Sequence, residues 1–202
     1  LVGIELERPV LTPAARAANF TNELGVDGRT RFLRNVGGLW LLQESMRAWT
    51  RDDLRALIDA AAEAPRGPLI DVDDPSFIAP GSMPDRIAAA AGRDLTEVAT
   101  VRCILDSLAR AYARTIDDIT DVTGERIEVI HIVGGGSQNE VLCQLTADAA
   151  GRPVVAGPVE ATAVGNVMVQ ARAHGAAPRS LEGIRSVVAS SFELRRYTPT
   201  RR

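Results

Sequence analysis

The stretch with most chemical promise is Ile130-His-Ile-Val-Gly-Gly-Gly-Ser-Gln-Asn139. Gly134, Gly135 and Gly136 follow an apolar segment that reads as a strand, and no Cβ bars the backbone there from a ligand. A helix expected from Glu140 onward aims free N–H groups and a partial positive charge at the same place, which suits phosphate or ribose oxygens. The glycines could equally do no more than make room for a tight strand-to-helix turn, and spacing alone does not choose. The pattern is not a dinucleotide fingerprint, which requires Gly where Asn139 stands. It is not a P-loop either, because the Gly-Lys pair is absent.

A second irregularity is Gly37-Gly38. It interrupts an apolar series (Phe32, Leu33, Val36, Leu39, Trp40, Met46) whose spacing predicts a helix within 29–49. Each glycine inside a helix costs about 1 kcal/mol against Ala, so a backbone or a ligand is expected to come close at this point. On such a helix Asn35 and Gln43 stand about 12 Å apart. Their amides could meet two parts of an elongated ligand or simply face water.

The other candidates are weaker. His131 is expected as a hydrogen-bonded core residue of its strand, and His174 as a partner for a helix C-terminus. Asp117, Asp118 and Asp121 read as a solvated helix face. Asp73-Asp74 falls short of the oxygen ligands a cation needs. Ser137, Cys103 and Cys143 have no adjacent His to mark them as nucleophiles. The two cysteines match no metal spacing, and reduced thiols are expected. No general acid–base pair emerges.

The elements that must position these residues fall into two rhythms. Residues 1–6 read as a strand, Thr12 caps a short helix through Ala18, and Asn19 to Gly28 has the composition of a loop. After the helix over 29–49, Thr50 is expected to cap another that runs to about Ala64. Pro65 to Pro84 carries five prolines, with short strands expected near Leu69-Ile70 and Phe77-Ile78. Helices follow at Pro84 to Ala91 and from Thr96 to Val122, the latter closed by Gly124. The last third reads as strand (127–133), glycine turn, helix (140–150), strand (151–156), Gly157-Pro158 loop and helix (159–174). That βαβα order implies parallel strands and an α/β fold. A single domain is expected, loose only over Thr198 to Arg202.

Composition narrows the classes further. With 202 residues, 46% apolar and 24% charged, the chain can bury a core without disulfides. A net charge of −3 gives no footprint for nucleic acid or anionic lipid. All 23 basic residues are Arg, so no lysine can form a Schiff base or hold a phosphate. No run resembles a signal peptide or a membrane span, and the start at Leu1, on a segment that reads as a strand, suggests sequence upstream.

Five blocks carry a family resemblance: Asn19-Phe-Thr-Asn-Glu, Arg34-Asn-Val-Gly-Gly-Leu-Trp-Leu-Leu-Gln43, Arg102-Cys-Ile-Leu-Asp-Ser-Leu-Ala109, His131 to Asn139, and Ala156-Gly-Pro-Val-Glu-Ala-Thr-Ala-Val-Gly-Asn166. Together they resemble the C-terminal half of the FGGY-type carbohydrate kinases, most closely the rhamnulokinase branch. The resemblance implies the α/β C-terminal domain of the actin-like (ribonuclease H-like) sugar-kinase ATPase fold over residues 1–202, without its N-terminal sugar-binding domain. It implies ATP and Mg as cofactors, ATP/ADP as ligands, and transfer of the γ-phosphoryl to O1 of L-rhamnulose through the missing domain. It also implies a cytoplasmic setting, no nucleic-acid or membrane partner, and compatibility with a homodimer. Matching positions assign ATP contacts to Asn35, Gln43 and Gly135, with Gly134 and Gly136 shaping the turn and Asn139 as a further contact. The family's catalytic Asp, its sugar pocket and an ATP-contacting Thr belong to sequence upstream of Leu1, so the chain alone is expected to be inactive. No metal ligands are assigned. A kinase for another ketose or polyol (xylulokinase- or fuculokinase-like) and a non-catalytic association or regulatory module are the competing readings.

Overall fold

The computed structural model describes residues 1–200. Their contacts group into two compact units, Leu1–Arg126 and Ile127 onward, and each is described by itself.

The first unit is built on three antiparallel strands, β1 (Val2–Leu6), β2 (Thr21–Leu24) and β3 (Thr30–Arg34), in the order β1-β3-β2. Ile4 and Asn22 both stand opposite Phe32, so β3 is central. Between β1 and β2 lies the short helix α1 (Pro13–Ala17), and the Thr12 hydroxyl accepts the Ala15 N–H at its start, as expected. Phe32 is fully buried, and its ring stacks on Phe20 with centroids 4.5 Å apart.

This sheet corrects two expectations. Residues 19–28 are not all loop: Thr21–Leu24 is an edge strand, mostly exposed and polar, formed by pairing with β3 rather than by any apolar alternation of its own. Residues 30–34 are strand, not helix. Phe32 and Leu33 are both buried although they point to opposite faces, and a strand covered on both faces loses the period-two signal.

Helix α2 (Trp40–Trp49) begins only after Leu39 and ends on Thr50 in the left-handed conformation (φ 54°). Thr50 therefore closes one helix instead of opening the next, and α3 (Leu54–Glu63) starts after Asp53. The expected strands near 69–70 and 77–78 do not form. The Ile70 N–H donates to the Ser107 hydroxyl rather than to a neighbouring strand, and Pro75–Phe77 is a single 3-10 turn capped by Asp74. Helix α4 (Met83–Ala91) and the long α5 (Glu97–Thr123) lie where the periodicity places them. Val101, Ile104, Leu105, Leu108, Ile116 and Ile119 of α5 are buried, and this helix packs against α3 and β1. Its start is capped by the Thr96 hydroxyl and its end by Gly124 at φ 75°.

The second unit has strands β4 (Ile130–Ile132), β5 (Val154–Ala156) and β6 (Arg195–Tyr197), with α6 (Glu140–Ala150), α7 (Ala161–Ala173) and α8 (Leu181–Ser191). β4 and β5 are parallel, as a βαβ unit requires, and β6 joins β5 antiparallel. Cys143, Ala147, Val154 and Ala156 form a small core under Ile130, Ile132 and Tyr197. Residues 198–200 are tied down: Gln144 donates to the Thr198 carbonyl, and Asp148 accepts the Thr200 N–H. Arg201 and Arg202 lie outside the described residues. No helix among the described residues is long and apolar enough to cross a membrane.

Candidate functional site

In the second unit β4 delivers the chain to the glycine turn. β4 is only three residues long, and alternation along it turns His131 to solvent while Ile130 and Ile132 pack on the core. His131 is thus exposed, not a core residue. Gly134–Gln138 winds into a 3-10 turn. Gly134 needs its residue type, at φ 74°, and its N–H donates to the Pro158 carbonyl at 3.2 Å. Ser137 is buried and donates its hydroxyl proton to the Gly134 carbonyl at 2.7 Å, which places it in the turn's own bonding.

Gly135 is different. It lies outside the left-handed region, and a Cβ there would meet no neighbouring atom within 4 Å. Neither backbone strain nor packing excludes a side chain, and what its hydrogen leaves clear is the approach to the turn from outside. At Gly136 a Cβ would come within 3.8 Å of Ile132 Cγ2, an ordinary contact.

Asn139 follows as the N-cap of α6. Its Oδ1 accepts the Leu142 N–H at 2.9 Å. The residue is only 7% exposed, and its Nδ2 is buried with no hydrogen-bond partner. A buried amide donor without an acceptor costs about 1–3 kcal/mol. Beside it Glu140 pairs with Arg195, which offsets a carboxylate otherwise unfavourable to an incoming anion. Cys143 sits beneath the turn, and burial pushes its thiol up to about 11. Cys103 in the first unit is raised to about 11 for the same reason. Both are free, buried and protonated at neutral pH.

In the first unit Asn35 and Gln43 do not share a helix. Asn35 is exposed in the irregular segment between β3 and α2, and Gln43 is exposed on α2. The helical separation expected for them therefore does not apply. Glu44, next to Gln43, is 1% exposed and accepts the Gly81 N–H at 3.1 Å, so α2 is rotated with Gln43 outward. Gly37 lies outside any helix, and the close approach expected there is to backbone. A Cβ on Gly37 would lie 2.3 Å from the Val72 carbonyl oxygen.

Asp73 and Asp74 are committed to protein partners rather than a cation. Asp73 accepts from Arg34 Nη2 at 2.8 Å and from the Gly37 N–H at 2.6 Å, and Asp74 caps the turn at Ser76. Sequence reasoning missed Asp73 as a loop holder. The signal available was Asp71-Val-Asp-Asp, whose first carboxylate accepts the Asp73 N–H in an Asx turn. Nor is the acidic face of α5 wholly solvated: Asp118 is half-buried and lies 3.6 Å from Arg34 Nη1. Asp117 and Asp118 line an open polar cavity of about 420 Å³ with Arg34, Asp71, Asp73 and Arg114. His174 caps the C-terminal end of α7. No group of three or more His, Cys, Asp or Glu able to hold a metal occurs among the described residues.

A glycine turn leading into a capped helix, in a parallel βαβ unit, is a recurrent way to hold phosphate, and comparison with known proteins decides the family. The model of the C-terminal domain of the FGGY family of carbohydrate kinases matches residues 1–174. The chain belongs to this family.

Among curated relatives, a rhamnulokinase of Bacteroides thetaiotaomicron is 40% identical, the match covering 98% of this chain and 42% of that protein. A rhamnulokinase of Pectobacterium carotovorum is 44% identical, covering 98% and 41%. Solved structures with the same fold include a xylulose kinase from Rhodospirillum rubrum (TM-score 0.64, 20% identity, 98% of this chain and 40% of that one). Another is the Plasmodium falciparum glycerol kinase with ADP (TM-score 0.65, 16% identity, 98% and 41%). The fold is thus that of the FGGY C-terminal region, in the actin-like sugar-kinase class. The chain spans about two-fifths of the length of the relatives it matches.

Proposed function

We propose that the chain is the nucleotide-holding domain of an FGGY carbohydrate kinase of the rhamnulokinase kind, which transfers the γ-phosphoryl of ATP to O1 of L-rhamnulose. The observation that carries the sugar assignment is 40–44% identity to curated rhamnulokinases over 98% of the chain. Asn35, Gln43, Gly134, Gly135, Gly136 and Asn139 stand at the family's nucleotide positions in this reading.

The residues fit such a ligand. Gly135 leaves clear space before the turn, and the orphaned Asn139 Nδ2 lacks only an acceptor. ATP supplies the transferred phosphoryl group. The turn's N–H groups and the N-terminus of α6 favour the negative charge of its phosphates. The Mg²⁺ of this reading arrives on the nucleotide phosphates, since phosphoryl-transfer sites bind it through one or two carboxylates and substrate oxygens rather than an all-protein cage. No side chain in the turn can accept a proton from a sugar hydroxyl. That base, and the sugar pocket, belong in this reading to the part of the kinase that the chain does not span.

Isothermal titration of the chain with ADP should show binding, and a coupled assay with L-rhamnulose and MgATP should show no turnover by the chain alone. Rhamnulose phosphorylation by the isolated chain, or a complete lack of ADP binding, contradicts the proposal.

A further inference from the structure

We propose that Asp73 is a positioning residue for Asn35: its single carboxylate clamps the chain on both sides of that amide. The inference rests on the reading of Asn35 as a nucleotide contact and adds a residue for which neither the family match nor the relatives assign a role.

Arg34, immediately before Asn35, donates from Nη2 to Asp73 Oδ2 at 2.8 Å. Gly37, two residues after Asn35, donates its N–H to Asp73 Oδ1 at 2.6 Å. Asn35 and Val36 are therefore the only residues between two charge-assisted bonds to one side chain, in a segment with no regular secondary structure.

The clamp is itself anchored. Asp73 N–H donates to Asp71 Oδ1 at 3.2 Å, Asp74 N–H donates to the Asp71 carbonyl, and Ile70 N–H donates to Ser107 on α5 at 3.0 Å. The Val72 carbonyl lies against Gly37 so closely that no Cβ fits, which holds the two segments at one separation. Arg34 is fixed in turn by the Ala18 carbonyl and by Asp118.

An exposed amide on an unbraced segment must be ordered when its ligand binds, at an entropic cost taken from affinity. The carboxylate meets that cost before binding. Asp73 need not touch nucleotide, and it acts through where Asn35 stands.

A double-mutant cycle on the whole chain, read by ADP calorimetry, tests this. Asn35→Ala and Asp73→Ala should each weaken ADP about tenfold, the scale of a lost charge-assisted hydrogen bond, and the double variant should bind no more weakly than Asn35→Ala alone. A merely structural role for Asp73 predicts losses that add. Additive losses, or an Asp73→Ala variant that binds like the parent while Asn35→Ala does not, overturn the clamp and leave the nucleotide reading standing. Unchanged affinity in Asn35→Ala overturns the reading of Asn35 as a nucleotide contact, and the clamp with it. If Asp73→Ala does not fold, Asp73→Asn keeps an acceptor for the Gly37 N–H. It should show a smaller loss that vanishes in the Asn35→Ala background, and persistence of that loss there overturns the clamp.

Discussion

Gly134 and Gly135 are neighbours of one residue type with different reasons for it. Gly134 is held at φ 74°, where a Cβ costs about 1–2 kcal/mol. Gly135 has neither that constraint nor a neighbour to collide with. The two readings left open by the sequence, room for packing and access for a ligand, can thus be tested position by position. Gly134→Ala should lower the unfolding free energy by about 1 kcal/mol in chemical denaturation. Gly135→Ala should leave it within about 0.5 kcal/mol of the parent yet weaken ADP binding measured by calorimetry. Equal destabilisation by both variants, with ADP affinity unchanged in Gly135→Ala, means that the turn serves packing alone.

Elements were legible where local chemistry decided them. α5 was placed to within a residue or two because its Thr96 cap, its apolar face and its closing Gly124 all act within the helix. α6 was legible for similar reasons, and the parallel pairing of β4 with β5 followed from element order. β2 and β3 were not, because an exposed polar edge strand and a doubly covered central strand both lack alternation. Their identity is a property of the pairing Asn22↔Phe32↔Ile4, which no local window contains.

Arg102 shows the same limit at the junction of two helices. It reads as one charged residue in an amphipathic helix, but it is 7% exposed. Its Nη1 donates to the carbonyls of Ala61, Ala62 and Ala64 at the end of α3, and its Nε donates to Asp106. One guanidinium thus closes α3 from α5. Arg102→Met keeps the buried stem and removes the guanidinium from Asp106 and from the Ala62 and Ala64 carbonyls. It should destabilise the chain by about 3–5 kcal/mol, read from the urea midpoint at constant slope. A change below about 1 kcal/mol means that the cap contributes little.

At the scale of the whole molecule, the absence of lysine and the net charge of −3 acquire a consequence. On the proposed reading, a nucleoside diphosphate brings several negative charges to a chain whose overall field repels it weakly, and groups at the turn supply its binding. Those it assigns there are backbone N–H dipoles, a helix N-terminus and the Asn139 amide, with Arg195 already paired to Glu140. Fixed dipoles act over a few ångströms, well inside the Debye length of about 8–10 Å, and counterions screen them little. Arginines gathering phosphate through their long-range field behave otherwise, losing affinity steeply as salt rises. The dissociation constant for ADP should therefore change by less than about threefold between 50 mM and 300 mM NaCl. A loss of tenfold or more over that range assigns the phosphates to arginine side chains instead of the glycine turn, and Asn139→Ala should then have no effect on affinity.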